Sequence, residues 1–255
     1  MLKSEEPLIL SIETATRAGS IAVSRGHALL SKREGDATRS HSTDLLDLIR
    51  EALEESGAGL RDVELFAVAL GPGSFTGLRI GVATVKGLAS TLERKVAGVP
   101  TLHALALAAG PCERAVALLP AGRGELFAQS FKVSEPLTVE PLDNPVHVAP
   151  YVLLEKFRAL RSIRWVGEGA YAQREKIRAV ANEEEIGFVE ENTEQGSNLK
   201  EGWALAPLPE NLATYVARLA FEKQKLGETS APEDIHAIYV RPSDAELKEK
   251  CRTQG

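Results

Sequence analysis

Cysteine is nearly absent: Cys112 and Cys251 stand far apart and in no metal-ligand spacing, which fits a reduced compartment and argues against a structural disulfide. No apolar stretch approaches the roughly 20 residues that cross a bilayer, and residues 1–7 hold nothing of signal-peptide length. A cytoplasmic protein without membrane association is therefore expected. An excess of positive charge is missing too: 30 Lys and Arg against 36 Asp and Glu leave a formal net charge of -6 and a pI near 5.5. Such a surface as a whole repels polyanions, so any RNA should be held by a partner. The five histidines, His27, His41, His103, His147 and His236, never pair at the spacing that puts two on one helical face. That argues against a histidine metal site.

What the chain does have is enough apolar residue, 44% of 255, to bury a large core in one or two domains. Residues 8–12, 19–24 and 28–31, separated by turn residues that include Gly26, read as three antiparallel strands. Ser42 is a fair cap for a helix with Leu45, Leu46, Leu48, Ile49 and Leu53 at helical spacing, ended by Gly57. Residues 65–70 suit a strand covered on both faces, residues 78–89 a second helix and residues 96–99 another buried strand. Three strands, then helix, strand, helix and strand, make half of an α/β fold with a mixed sheet. Beyond it Thr101 caps a short alanine-rich helix, and residues 115–119 and 125–131 pair across Gly122-Arg123-Gly124 to start a second sheet. A helix over 151–160, a strand over 163–166 and an amphipathic helix over 212–225 follow. The acidic stretches 183–185 and 190–194 read as solvated turns.

The sharpest motif is Gly71-Pro72-Gly73-Ser74-Phe75-Thr76-Gly77, a tight turn between a buried strand and a helix, where exposed backbone can hold an anion. A phosphate-binding Walker loop needs Lys and a hydroxyl residue after its last glycine, and Leu78 and Arg79 stand there instead. The dinucleotide fingerprint needs a glycine where Thr76 stands. A nucleophile elbow needs a glycine beyond Ser74 that is not there. What stays is a structural joint: Phe75 plugging the core, with Gly77, Gly81 and Gly87 allowing close helix approach. Glu13, Thr14 and Thr16 after the first strand read either as contacts for a phosphate or metal or as turn formers. His41 reads as a cap, a partner contact or a water-facing residue.

Taken together, Ile12-Glu13-Thr14-Ala15-Thr16, His41-Ser42, Leu45-Leu46, the run from Gly71 to Gly81, Lys86-Gly87-Leu88-Ala89 and Tyr239-Val240-Arg241 resemble the TsaB (YeaZ) family of bacterial tRNA threonylcarbamoyladenosine biosynthesis proteins. The chain departs from that family's usual residues at Glu13, normally Asp, and at 120–123, normally containing Asp-Ala-Arg. The resemblance implies an actin, hexokinase and Hsp70-like fold of two subdomains, each a mixed sheet with helices. Boundaries of 1–103, 104–230 and a charged tail over 231–255 follow.

By the same resemblance, the chain is a non-catalytic partner of TsaD, the subunit that transfers a threonylcarbamoyl group to the adenosine after the anticodon of tRNAs reading codons that begin with A. A small ATPase, TsaE, joins them, a homodimer forms when TsaD is absent, and tRNA is met only through the complex. His41, Leu45, Leu46, Ile49, Arg79, Val82 and Lys86 are then partner-interface residues. No cofactor is intrinsic, ATP or ADP is placed at the complex interface, and Glu13 and Thr14 are the candidate nucleotide contacts. The alternative function is an ATP-dependent small-molecule kinase of the same superfamily.

Overall fold

Six consecutive buried residues, Leu8–Glu13, form β1, and burial so complete needs cover on both faces of the sheet. In the computed structural model, which describes residues 6–38, 41–191 and 201–240, that cover comes from helices on either side. The chain continues through β2 (Ser20–Arg25), β3 (Ala28–Glu34), α1 (His41–Glu55), β4 (Leu65–Ala69), α2 (Phe75–Thr91) and β5 (Lys95–Val99). These strands make a five-stranded sheet of order β3-β2-β1-β4-β5, antiparallel where hairpins join the strands and parallel where helices cross over. On one face, Leu45, Ile49, Ala52 and Leu53 of α1 pack with Val82, Val85 and Ala89 of α2 over Leu10, Ile12, Phe66 and Val68.

After α3 (Thr101–Ala108) come β6 (Cys112–Gly122), β7 (Glu125–Ser134), β8 (Thr138–Pro141), β9 (Val146–Val148), α4 (Pro150–Phe157), β10 (Ser162–Val166), α5 (Glu168–Ala172), α6 (Arg174–Glu183), β11 (Phe188–Glu190), β12 (Gly202–Leu205) and α7 (Leu212–Lys225). The second sheet runs β11-β12-β10-β6-β7-β8, with β9 on β7. Its outer core is aromatic: Trp165 meets Phe157 and Trp203 edge to face at 5.8 and 5.2 Å. Its inner face shares a core with α3, α7 and the first sheet.

Several expectations need adjusting. The helix after the glycine turn starts at Phe75, three residues early, because Ser74 caps it by accepting the Gly77 N–H at 3.2 Å. Thr101 is not a cap; Pro100 holds that position, and the buried Thr101 hydroxyl accepts the N–H of Gly71 at 3.0 Å. The side chain of Ser42 and residue Glu194 lie outside the described residues. Glu191 is no solvated turn residue: its carboxylate, 5% exposed, takes the Arg164 guanidinium at 3.0 Å. Within 231–255, read as a charged tail, Ile235 is 4% exposed and belongs to the first sheet's core.

Helix α7 joins the two halves. The Ser11 hydroxyl donates to Ala213 O at 2.7 Å, while Asn211 Oδ1 accepts the Thr214 N–H and its Nδ2 donates to Ile21 O and Arg33 O. One asparagine thus caps a helix and satisfies two strand carbonyls. Asn211→Ala is expected to lose about 2 kcal/mol, a cap plus buried carbonyl partners, measured by urea unfolding.

His103 of α3 stacks edge to face on Phe131 at 4.7 Å, and burial, then the Lys223 charge, push its pKa down to about 4. The unfolded chain takes up that proton near 6.5, so the stabilisation is full above 6.5 and lost as pH falls toward 4. His103→Gln should unfold over a narrower span of midpoints between pH 7 and pH 4 than the parent.

Candidate functional site

The glycine turn is a junction of backbones. Gly71 exchanges two bonds with Thr101, its carbonyl accepting the Thr101 N–H at 2.8 Å, and its φ of 111° suits glycine. A Cβ there would lie 2.6 Å from the Ile238 carbonyl. Gly73 lies so close to Ala15 that a Cβ would stand 2.5 Å from its carbonyl, which accepts the Ser74 N–H at 2.8 Å. Gly81 leaves room for Thr14, whose hydroxyl donates to Gly77 O at 2.7 Å. These close approaches seat α2 on the loop after β1. Phe75 does not plug the core: it is half-buried at the surface, 5.1 Å from Tyr239, with the Arg79 guanidinium 4.0 Å over its ring.

The same loop decides what Glu13 and Thr14 do. Thr14 is buried against Gly81, and its hydroxyl is engaged within the chain. Glu13 is fully buried; one carboxylate oxygen accepts the Thr16 N–H at 2.7 Å, the other the Thr16 and Ser20 hydroxyls at 2.7 and 3.3 Å. Burial pushes its pKa up, and those bonds pull against it. The pair thus form and lock the turn. The cleft between the sheets above them is about 130 Å³ and is lined by Glu13, Glu34, Glu168 and Glu210. Burial, then the Glu210 charge, raise the Glu34 pKa while Lys32 lowers it. This cleft is smaller than the roughly 300–1,000 Å³ of ordinary ligand pockets, and its carboxylates repel a polyphosphate that brings no cation with it. Among the described residues no cluster of three or more His, Cys, Asp or Glu is arranged to hold a metal ion.

The expected interface residues separate into three kinds. Leu45, Ile49 and Val82 are 5%, 4% and 8% exposed and serve the core. Leu46 is 67% exposed and Arg79 is exposed, so these offer area. Lys86 is engaged within the chain, its ammonium donating to Glu233 O and Ile235 O at 3.0 and 3.1 Å. His41 begins α1, and its side chain lies outside the described residues. Beside Leu46 runs an apolar groove of about 310 Å³, lined by Ile49, Leu53, Ala58, Leu60 and Leu88. Periodicity pointed to Leu46 and Ile49 but missed Leu60 and Leu88, which come from a 3-10 turn at Leu60–Asp62 and from α2. The only sequence signal for Leu60 is an apolar residue following Gly57 and Gly59.

Residues 34–157 match the family model described as TsaD, tRNA N6-adenosine threonylcarbamoyltransferase. The chain is 28% identical to the tRNA threonylcarbamoyladenosine biosynthesis protein TsaB of Escherichia coli K12, over 91% of this chain and 94% of that protein. Among solved structures, YeaZ from Pseudomonas aeruginosa aligns with a TM-score of 0.67 and 22% identity over 91% of this chain and 99% of that one. A Pseudomonas aeruginosa protein described as similar to peptidase YEAZ aligns with a TM-score of 0.72 and 24% identity, over 92% and 100%. These likenesses and the two helix-flanked sheets place the fold in the actin, hexokinase and Hsp70-like class.

Proposed function

We propose that this chain, which belongs to the TsaB/YeaZ family, serves tRNA threonylcarbamoyladenosine biosynthesis as the non-catalytic partner of a TsaD-type transferase. The observation that carries the docking role is the α1–α2 face: an apolar groove beside a leucine that is two-thirds exposed, on helices whose inner sides are used by the core. A concave apolar strip with an exposed leucine at its rim gives a partner's apolar side chains a place to pack. A second copy of the chain is the occupant when the transferase is absent, a TsaE-type ATPase joins the assembled pair, and tRNA is reached through the transferase. ATP or ADP belongs at the complex interface, because the chain's own cleft is small and lined by carboxylates. The same cleft weighs against the kinase alternative.

The test is reconstitution. The purified chain alone should transfer no threonylcarbamoyl group, and should restore transfer when added to TsaD, TsaE and the enzyme that makes threonylcarbamoyl-AMP. Transfer at the full rate without this chain, or by this chain without TsaD, would overturn the proposal.

A further inference from the structure

Lys86 sits on the helix of the docking face, yet its ammonium points along its own chain. After α7, Ser230 and Val96 exchange two backbone bonds at 2.9 and 3.0 Å. A 3-10 turn at Pro232–Asp234 follows, and Ile235 enters the core shared by α1 and α2. Lys86 Nζ reaches the carbonyls of Glu233 and Ile235, where a cation complements the backbone dipoles at the end of the turn. The Ile238 N–H then donates to Leu70 O at 2.7 Å, its carbonyl lies against Gly71, and Tyr239 packs on Phe75 at the first turn of α2. Residues 230–240 thus form a strap that leaves the helix between the sheets and runs along α2 from Lys86 back to Phe75. It holds α2 at its first turn, through Phe75, and again within its second half, through Lys86.

We infer that this strap sets the position of α2 for partner docking, and that Lys86 is a positioning residue acting through it, not a contact residue for the partner. The inference rests on the docking reading for its consequence, though not for its mechanism. A lysine with both donated bonds directed into its own chain has little left for a partner carboxylate, whereas losing it releases the strap from the middle of α2. The glycine turn adds a second tie, because Gly71 is bonded to α3 and touches the strap at Ile238. Motion of the inter-sheet layer therefore reaches α2 along two routes, one through the strap and Lys86 and one through the bonds of Gly71.

Hydrogen exchange on the full chain alone, comparing Lys86→Met and Lys86→Arg with the parent, tests the mechanism. Lys86→Met keeps the aliphatic stem and removes the donors. Exchange at 70–90 and 230–240 should rise roughly tenfold, the scale of a lost charge-assisted bond, while β6, β7 and α4 stay at parental rates. Lys86→Arg, which can still donate to two carbonyls, should recover most of the protection. Unchanged exchange in Lys86→Met would overturn the strap, and so would a rise spread evenly over both sheets. Binding to a TsaD-type partner is the second arm. Weakening by Lys86→Met that persists from 50 to 500 mM salt and is recovered by Lys86→Arg supports positioning, since a screened ion pair would fade with salt. A salt-dependent loss without any change in exchange makes Lys86 a direct contact and overturns the inference. Altered exchange with a partner that never binds any variant would sink the docking reading and leave the strap standing.

Discussion

Replacing Leu46 by glutamate is expected to weaken binding to a TsaD-type transferase by roughly 100-fold, about 2.7 kcal/mol, while the thermal midpoint of the chain stays where it was. Leu46 is 67% exposed, so folding gains little from it, and a carboxylate in its place remains hydrated in the isolated chain. In a complex that covers the groove, the same carboxylate would be stripped of water, and the cation one turn along α1, Arg50, is already shared among Asp47, Glu51 and Glu54. The neighbouring charges Arg50 and Glu54 are already paired with each other at 3.0 Å. Tyr151→Glu is the matched control: Tyr151 is 76% exposed, on α4 at the outer face of the second sheet, and its replacement should leave binding unaltered. Calorimetry or surface-binding measurements on the three chains distinguish a docking face from a general cost of added negative charge. Loss of affinity in both variants would point to the net charge of -6 rather than to the groove.

The largest stability effect should come from Gly71→Ala, a loss of about 3 kcal/mol by urea unfolding. Two causes act together. The backbone at Gly71 has φ of 111°, which a side chain strains, and the added methyl would stand 2.6 Å from the Ile238 carbonyl and 2.9 Å from Leu78. The first of those neighbours is backbone, held by the Ile238 N–H bond to Leu70, and gives way only if the strap moves. Gly87→Ala makes the contrast within the same stretch of sequence. Gly87 lies inside α2, and a Cβ there meets nothing within 4 Å, so the change should be neutral or stabilising by up to about 1 kcal/mol through helix propensity. A small effect of Gly71→Ala would mean that the turn is pliable and does not fix the helix it leads into.

Much of the architecture was legible because burial leaves a direct imprint on composition. The apolar runs in β1 and β4 announced strands covered on both faces, and the spacing of Leu45, Ile49 and Leu53 announced the inner side of α1. The same periodicity names a helix's apolar residues without saying which of them the core consumes. Leu45, Leu46 and Ile49 looked equivalent as interface candidates, and only the packing separates the exposed Leu46 from its buried neighbours. Hydroxyl residues misled for another reason. Thr101 has the residue type and place of a cap but spends its hydroxyl on Gly71, 30 positions away, and Thr14 spends its own on Gly77. Such bonds depend on tertiary proximity, which local pattern does not encode. The strap was hidden because 231–240 is short and follows neither helical nor strand periodicity, so that one buried residue, Ile235, and one lysine on another element make it part of the fold.

The α1–α2 face is proposed to be covered by a partner chain. Size-exclusion chromatography with light scattering on the chain, alone and mixed with an equimolar TsaD-type transferase, tests it most directly. A single heterodimeric peak is expected in the mixture, and its disappearance when Leu46→Glu replaces the parent. Two separate peaks at micromolar concentration, or a complex that survives Leu46→Glu undiminished, would contradict it.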